Sequence, residues 1–277
     1  MNNLKTFKEK GYVIYRDIIP LKKIKQNISE IENLLKNQWS LYYPKIKYKD
    51  KNTAIIKLFN RNRFYRRYLY EWINKRLLTT TEFSKLKEVK NILKELNISY
   101  PVYQMSANRI NLPEEDYFLT EWHQDIGVMD TLNSITLWMP LEKTTKKNGS
   151  ISILSGSHKE GVIIPKNINY RGHSELNTKY LLRKYKEIWL TYNPGDLLVF
   201  HPMVVHNAKP NRSNKPRWAL IFRFDDAEDQ TYLNQEINPL KNGYIMKKSN
   251  TISGFRENKK NKKNKEIIKK YKSLNKN

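Results

Sequence analysis

Apolar residues recur along this chain with two different periods, and the change of period falls near residue 100. In "LKKIKQNISEIENLLKNQ", Leu21, Ile24, Ile28, Ile31 and Leu35 return every three or four positions, the spacing of one face of a helix. The same period runs through "FYRRYLYEWINKRLL" and "EFSKLKEVKNILKELNI", divided by the β-branched run Thr79–Thr81, so residues 60–97 predict two or three helices. Phe64, Leu69 and Trp72 form the expected buried side of the first, with a basic face opposite. Before these helices, "GYVIYRDIIP" reads as a short strand ended by Pro20.

From Tyr100 onward the apolar runs become short and are separated by Gly, Pro and Asn. "VYQMSANRI", "SITLWMPL", "SISILSGS", "GVIIP", "EIWLTYNPGDLLVFH", "VVHNA" and "RWALIFRF" predict a series of strands joined by turns, with Asn193–Pro194–Gly195–Asp196 one of those turns. Many short strands preceded by helices predict a mainly β domain with flanking α-helices, a sandwich or barrel over residues 1–246. Residues 247–277, nearly all lysine and asparagine, read as a separate basic tail, solvated and either a frayed helix or disordered.

Composition narrows the chemistry. The 277 residues contain no cysteine, which excludes disulfides and thiolate ligands and leaves five histidines with the carboxylates as metal ligands. With Lys+Arg 52 against Asp+Glu 27 the net charge is +25. Such an excess suits an anionic partner, but no basic motif interleaves with aromatics in a repeating way, so specific nucleic-acid binding is not expected and the tail is assigned at most a weak anionic-surface contact. The nearest candidate motif, "NRNRFYRRYLYEW", reads as the amphipathic helix already described. No apolar run approaches membrane-spanning length and the N-terminus lacks a signal-peptide core, so a soluble cytoplasmic protein is expected, of open oligomeric state.

In "EWHQDIGVMD", His123 and Asp125 stand two apart in an apolar-flanked stretch without helix signals; on a strand they would share a face and converge on a metal. A third ligand could come from His201 or His206 in "GDLLVFHPMVVHNA". Two histidines and one carboxylate on a β-scaffold are the facial triad of non-haem Fe(II) oxygenases. In "RWALIFRF", Trp218, Leu220, Phe222 and Phe224 make a packing face, while Arg217, Ala219 and Ile221 look the other way. A confined guanidinium calls for an anionic partner, and its planar fork suits a carboxylate.

These motifs together resemble the phytanoyl-CoA dioxygenase family of Fe(II)- and 2-oxoglutarate-dependent oxygenases, over most of residues 4–225. "HQD", "GDLLVFHPMVVHNAKPNRS", "NGSISILSGSHKEG" and the opening "FKEKGYVIYRDIIP" are similar to family motifs, with Ser155 where proline is usual. The resemblance implies a double-stranded β-helix (jelly roll, cupin-like), Fe(II) held by His123, Asp125 and His206 rather than His201, and 2-oxoglutarate with its distal carboxylate on Arg217. It further implies Lys57, Met105, Gln124 and Trp138 as residues of the co-substrate pocket, and Ala208 where many relatives carry a hydroxyl residue. His158 and His173 fall in loops and are assigned structural or surface roles. The implied reaction consumes O2, releases succinate and CO2, and hydroxylates an aliphatic C–H of a small metabolite or of a lipid-like or biosynthetic substrate; keeping Asp125 favours hydroxylation over halogenation. The competing readings are a non-catalytic jelly-roll binding module and a nucleic-acid-associated oxygenase recruited by the tail.

Overall fold

The computed structural model describes residues 2–116, 119–163, 167–168, 174–229, 244–246 and 255–257. Five helices lead the jelly roll: α1 (Asn3–Lys10), α2 (Leu21–Tyr42), α3 (Lys51–Phe59), α4 (Arg63–Lys75) and α5 (Leu78–Glu82), with α6 (Lys87–Glu95) after them. Side-chain caps fix three of the starts, because the first amides of a helix lack partners within it. The Asn2 side chain accepts from Lys5 N, Asp50 from Asn52 N and Thr53 N, and Asn62 from Tyr65 N. The Thr79–Thr81 run, expected to divide one helix from the next, is itself helical within α5: Glu30 of α2 accepts from the amides of Leu78 and Thr79 at 3.0 and 2.9 Å, and this cap offsets the poor helix propensity of threonine. α3 has no counterpart among the helices the apolar period predicts. In α4 the buried stripe is Tyr65, Leu69 and Ile73, whereas Phe64 is 69% exposed, one position off the expected face.

The larger sheet has the order β1-β8-β3-β10-β2, where β1 is Tyr12–Tyr15, β2 Pro101–Asn111, β3 Ser134–Pro140, β8 Leu197–Phe200 and β10 Arg217–Asp226, all neighbours antiparallel. A smaller sheet, order β7-β4-β9, combines β4 (Ile151–Leu154), β7 (Glu187–Trp189) and β9 (His206–Ala208). Between them in sequence lie a short pair, β5 (Asn167–Ile168) with β6 (Ser174–Glu175), and α7 (Lys179–Lys184). The predicted "GVIIP" strand does not form over its described residues, 161–163.

The helices cover one face of the larger sheet. One core holds Ile31, Leu35, Ile55 and Leu69 together with Trp218, Leu220, Phe222 and Phe224 of β10. The second core, between the two sheets, takes Ala219 and Ile221 from the same strand with Ala107, Trp138, Ile153 and Phe200. Strand alternation therefore divides β10 between two interiors. At the Asn193–Asp196 turn, Gly195 has φ +97°, a left-handed conformation that disfavours any side chain, and its carbonyl accepts from Ile18 and Ile19. This ties the chain after β1 to the start of β8.

The tail boundary expected at 246/247 lies between the strands of an antiparallel pair, β11 (Tyr244–Met246) with β12 (Phe255–Glu257). The extended Phe255–Glu257 differs from the frayed helix considered for the tail; the remaining tail positions, and His173, lie outside the described residues. No helix among the described residues is long and apolar enough to cross a membrane.

Candidate metal centre and co-substrate pocket

His123 and Asp125 do not lie on one regular strand. His123 forms a single antiparallel bridge with His206, each amide donating to the other's carbonyl at 3.0 Å, and the chain then turns into a short 3-10 helix over Asp125–Val128. The turn is fixed by Pro202, whose carbonyl accepts from Asp125 N at 2.8 Å and Ile126 N at 3.1 Å. Strand alternation is thus not the reason the two side chains meet; the bridge and the turn bring them together.

The candidate ligand atoms of His123, Asp125 and His206 all lie within 4.8 Å of one another. Asp125 Oδ1 is 3.6 Å from His123 Nε2 and 3.9 Å from His206 Nε2. Each imidazole uses Nδ1 on a carbonyl two residues back, His123 on Glu121 O at 2.8 Å and His206 on Val204 O at 2.9 Å. With the proton on Nδ1, both Nε2 lone pairs face the carboxylate, the orientation a divalent cation requires. Burial, with His123 alongside, pushes the His206 pKa down to about 3, so that ring is neutral and free to ligate.

Asp125 is 4% exposed. Burial works to raise its pKa, but Arg223, with His206 and His123, outweighs burial and holds the carboxyl well below the usual range. Arg223 donates through Nε to Oδ2 at 3.1 Å and through a terminal nitrogen to Oδ1 at 2.9 Å, and Thr136 Oγ1 donates to Oδ2 at 2.9 Å.

The triad opens on a cavity of about 460 Å³ also lined by Trp138, Ile151, Phe200, Ala208 and Arg217. Arg217 is 3% exposed and hydrogen-bonds Asn111 Oδ1 at 2.6 Å, while its buried Nε has no partner. Burial and the neighbouring Arg109 lower its pKa to about 10. A buried guanidinium with an unused donor, beside a second cation, is a site that gains by receiving an anion.

Three of the expected pocket residues are placed elsewhere. Lys57 is on the exposed side of α3, with Nζ over the rings of Trp39 and Tyr43 at 5.4 and 4.5 Å, because helical geometry turns 57 outward when Ile55, Leu58 and Phe59 turn in. Gln124 is buried but fully occupied: its amide nitrogen donates to Gly161 O and Met203 O at 2.8 and 2.7 Å, and its oxygen accepts from Ile163 N at 2.8 Å. It pins two loops together and does not line the cavity. Met105 is on the cavity side of β2, packed on the core between the sheets, but does not line the cavity; it is the register partner of Arg223, its sulfur 3.2 Å from an Arg223 terminal nitrogen. Trp138 does line the cavity, edge-on to Tyr192.

His201 is outside the triad, its ring between those of Phe7 and His158 and tilted to both, and burial lowers its pKa to about 3. His158 itself is lowered by burial, with its Nε2 3.0 Å from Lys8 O. The sequence patterns do not single out Arg109 and give Arg223 no role at the triad. Arg223 sits six positions after Arg217 on the same strand face, a spacing that could have found it.

The Phytanoyl-CoA dioxygenase (PhyH) family model matches residues 7–219. A probable phytanoyl-CoA dioxygenase of Caenorhabditis elegans is 24% identical over 258 residues, covering 83% of this chain and 76% of that protein. A 1-deoxypentalenic acid 11-beta-hydroxylase of Streptomyces arenae is 32% identical over 108 residues, 37% of this chain and 38% of that protein. Among solved structures, the fold is like that of the epimerase SnoN in complex with Fe3+, alpha ketoglutarate and nogalamycin RO (TM-score 0.56, 14% identity, 81% of this chain and 82% of that one). It is also like EctD from S. alaskensis with 2-oxoglutarate and 5-hydroxyectoine (TM-score 0.56, 13% identity, 82% and 76%). With the match spanning most of its length and the jelly roll carrying the motifs that define the resemblance, this chain belongs to the phytanoyl-CoA dioxygenase family.

Proposed function

We propose that this protein is an Fe(II)- and 2-oxoglutarate-dependent oxygenase that hydroxylates an aliphatic C–H of a small molecule, with His123, Asp125 and His206 as iron ligands and Arg217 as the anchor for the distal carboxylate of 2-oxoglutarate. The observation that carries this reading is the co-location of two neutral-capable imidazoles, one enforced carboxylate and a buried guanidinium with a spare donor in one cavity. His123 and His206 through nitrogen and Asp125 through oxygen would hold Fe(II), a donor set of the kind that suits it. Iron with 2-oxoglutarate and O2 supplies the oxidising power, with succinate and CO2 as co-products.

The chain's own residues do the positioning. The carbonyls of Glu121 and Val204 hold the imidazoles in one tautomer, and Arg223 with Thr136 holds Asp125 ionised and fixed in rotation. Trp138, Ile151 and Phe200 keep water from the space beside the ligands and strengthen every charge interaction within it. Ala208 offers no hydroxyl, so Arg217 carries the recognition of the co-substrate carboxylate without help from that position.

Anaerobic Fe(II) titration is the test. Wild type and His201→Ala are expected to take up one iron and to develop a charge-transfer absorption on adding 2-oxoglutarate, whereas His206→Ala loses more than about a hundredfold in iron affinity. Iron uptake lost in His201→Ala and retained in His206→Ala would refute the ligand assignment.

A further inference from the structure

Successive residues of a helix are turned by about 100° around its axis, and this divides α4 into three faces. Tyr65, Leu69 and Ile73 are buried in the helical core. Arg63, Arg66, Arg67 and Tyr70 line the cavity that holds the triad. The third face carries Phe64 and Tyr68, one turn apart, and both stand in solvent, 69% and 62% exposed. A single exposed ring is ordinary, but two on one face of a helix anchored from behind make an apolar ridge.

Cations border the ridge. Arg61 precedes the Asn62 cap, Arg63 and Arg67 stand beside the rings, and Lys75 and Arg76 close the helix. Arg61 and Arg63 lie over the rings of Tyr42 and Phe64 at 4.1 and 5.4 Å. No carboxylate pairs with Arg61, Arg63 or Arg67 among the described residues. Two carboxylates meet other cations of α4 instead: Glu71 lies 3.9 Å from Lys75, and Glu115 is held by both terminal nitrogens of Arg66 at 2.7 and 2.5 Å.

A helix with outward rings and unneutralised arginines beside them suits the boundary between water and an anionic bilayer, where rings sit at headgroup level and guanidiniums meet phosphates. We infer that α4 docks this protein on an anionic phospholipid surface, lying in its plane with Phe64 and Tyr68 among the headgroups and Arg61, Arg63 and Arg67 on the phosphates. The net charge of +25 favours the same partner. A single-stranded nucleic acid would also meet arginines and rings, but it needs a groove that follows its backbone, and these rings stand on the convex side of one helix. The buried stripe keeps α4 fixed to the core, so docking requires no unfolding. It brings the rim of the cavity, where Arg63 and Arg67 lie, to the membrane surface whatever the substrate is.

The test is co-sedimentation of the full chain with phosphatidylcholine vesicles, with and without phosphatidylglycerol, at constant ionic strength. Binding is expected only where phosphatidylglycerol is present. Arg63→Gln/Arg67→Gln should weaken it about twentyfold, since one basic residue at an anionic surface contributes about a factor of five. Phe64→Ala/Tyr68→Ala removes no charge and should weaken it about tenfold through lost apolar contact. Lys22→Gln/Lys25→Gln, the same charge change as in the arginine pair but on the exposed face of α2, should cost less than about threefold. All six positions are exposed, so the variants probe the surface and not the fold. The chain has no cysteine, so Phe64→Cys and Lys22→Cys each give a single thiol for an environment-sensitive dye. Anionic vesicles should shift the emission to the blue at position 64 and leave it unchanged at 22. Equal losses in the arginine and lysine variants, full binding without the rings, an unshifted dye at 64, equal binding to neutral vesicles, or no binding to anionic ones would each overturn the inference. So would a single-stranded oligonucleotide that binds tighter than the vesicles and loses affinity with the rings, which would assign the surface to nucleic acid.

Discussion

The two faces of β10 share one backbone and one degree of burial, yet they are built by different rules. Toward the helices, Trp218, Leu220, Phe222 and Phe224 fill a core in which any well-shaped hydrocarbon would serve. Toward the smaller sheet, Arg217 and Arg223 flank Ala219 and Ile221, and each arginine is enclosed with a specific correspondent: Arg223 with Asp125, Arg217 with Asn111 and an unused donor. Burial on the first face is its own reward in hydrophobic free energy. On the second it is a cost that only a matched partner offsets, so the arginine left incompletely matched marks where something from outside belongs.

Substitutions on the two faces should therefore fail in different assays. The largest loss of stability is expected for Phe222→Ala, about 3–5 kcal/mol by urea denaturation, since it opens a cavity in a fully buried layer, while the triad's metal uptake persists in the fraction that folds. Arg217→Ala should show the inverse pattern: unfolding free energy of the ligand-free protein within about 1 kcal/mol of wild type, because the removed charge was incompletely satisfied, but 2-oxoglutarate affinity reduced by roughly thirtyfold or more, the cost of about 2–5 kcal/mol for losing one side of a buried charged pair. Calorimetry showing an unchanged dissociation constant would erase the distinction between the faces. The smallest effect is assigned to Lys57→Gln. Its ammonium lies over two rings on the outside of α3, so about 0.5–1 kcal/mol of stability is at stake and co-substrate binding should not move; a weakened 2-oxoglutarate titration in this variant would return Lys57 to the pocket.

What the sequence makes legible follows from how local each signal is. The alternation within "RWALIFRF" needs only the strand period, and both faces of β10 can be read from it. The meeting of His123 with Asp125 is expected from strand alternation for the wrong reason, because a bridge to His206 and a turn held by the Pro202 carbonyl are contacts some 80 residues apart that no period encodes. α3 is hidden by its lysines, although Asp50 as a cap and Ala54, Ile55, Leu58 and Phe59 on one side are a helical signature. The one-residue error at Phe64 has the same origin: with aromatics at 64, 65, 68, 70 and 72, α4 offers more than one apolar face, and packing rather than pattern selects Tyr65, Leu69 and Ile73. Lys57, Met105 and Gln124 show that a resemblance transfers positions more safely than orientations.

The tilted ring cluster of Phe7, His201 and His158 fastens the first helix of the chain to the β-scaffold. Lys8 O meets His158, and Gly11 O accepts from the His201 amide at 2.8 Å. Both imidazoles are held uncharged, His201 down to about pH 3 against an ordinary value of 6.5, so between those limits the unfolded chain binds protons that the folded one refuses. The fastening is at full strength above about pH 6.5 and weakens steadily as the solution is acidified toward 3. α1 and β1 thus form an acid-labile hem, and their amide-exchange opening energies should fall below those of β10 as pH drops from 7.5 to 5; a constant difference between the two would show that the hem is sewn by other contacts.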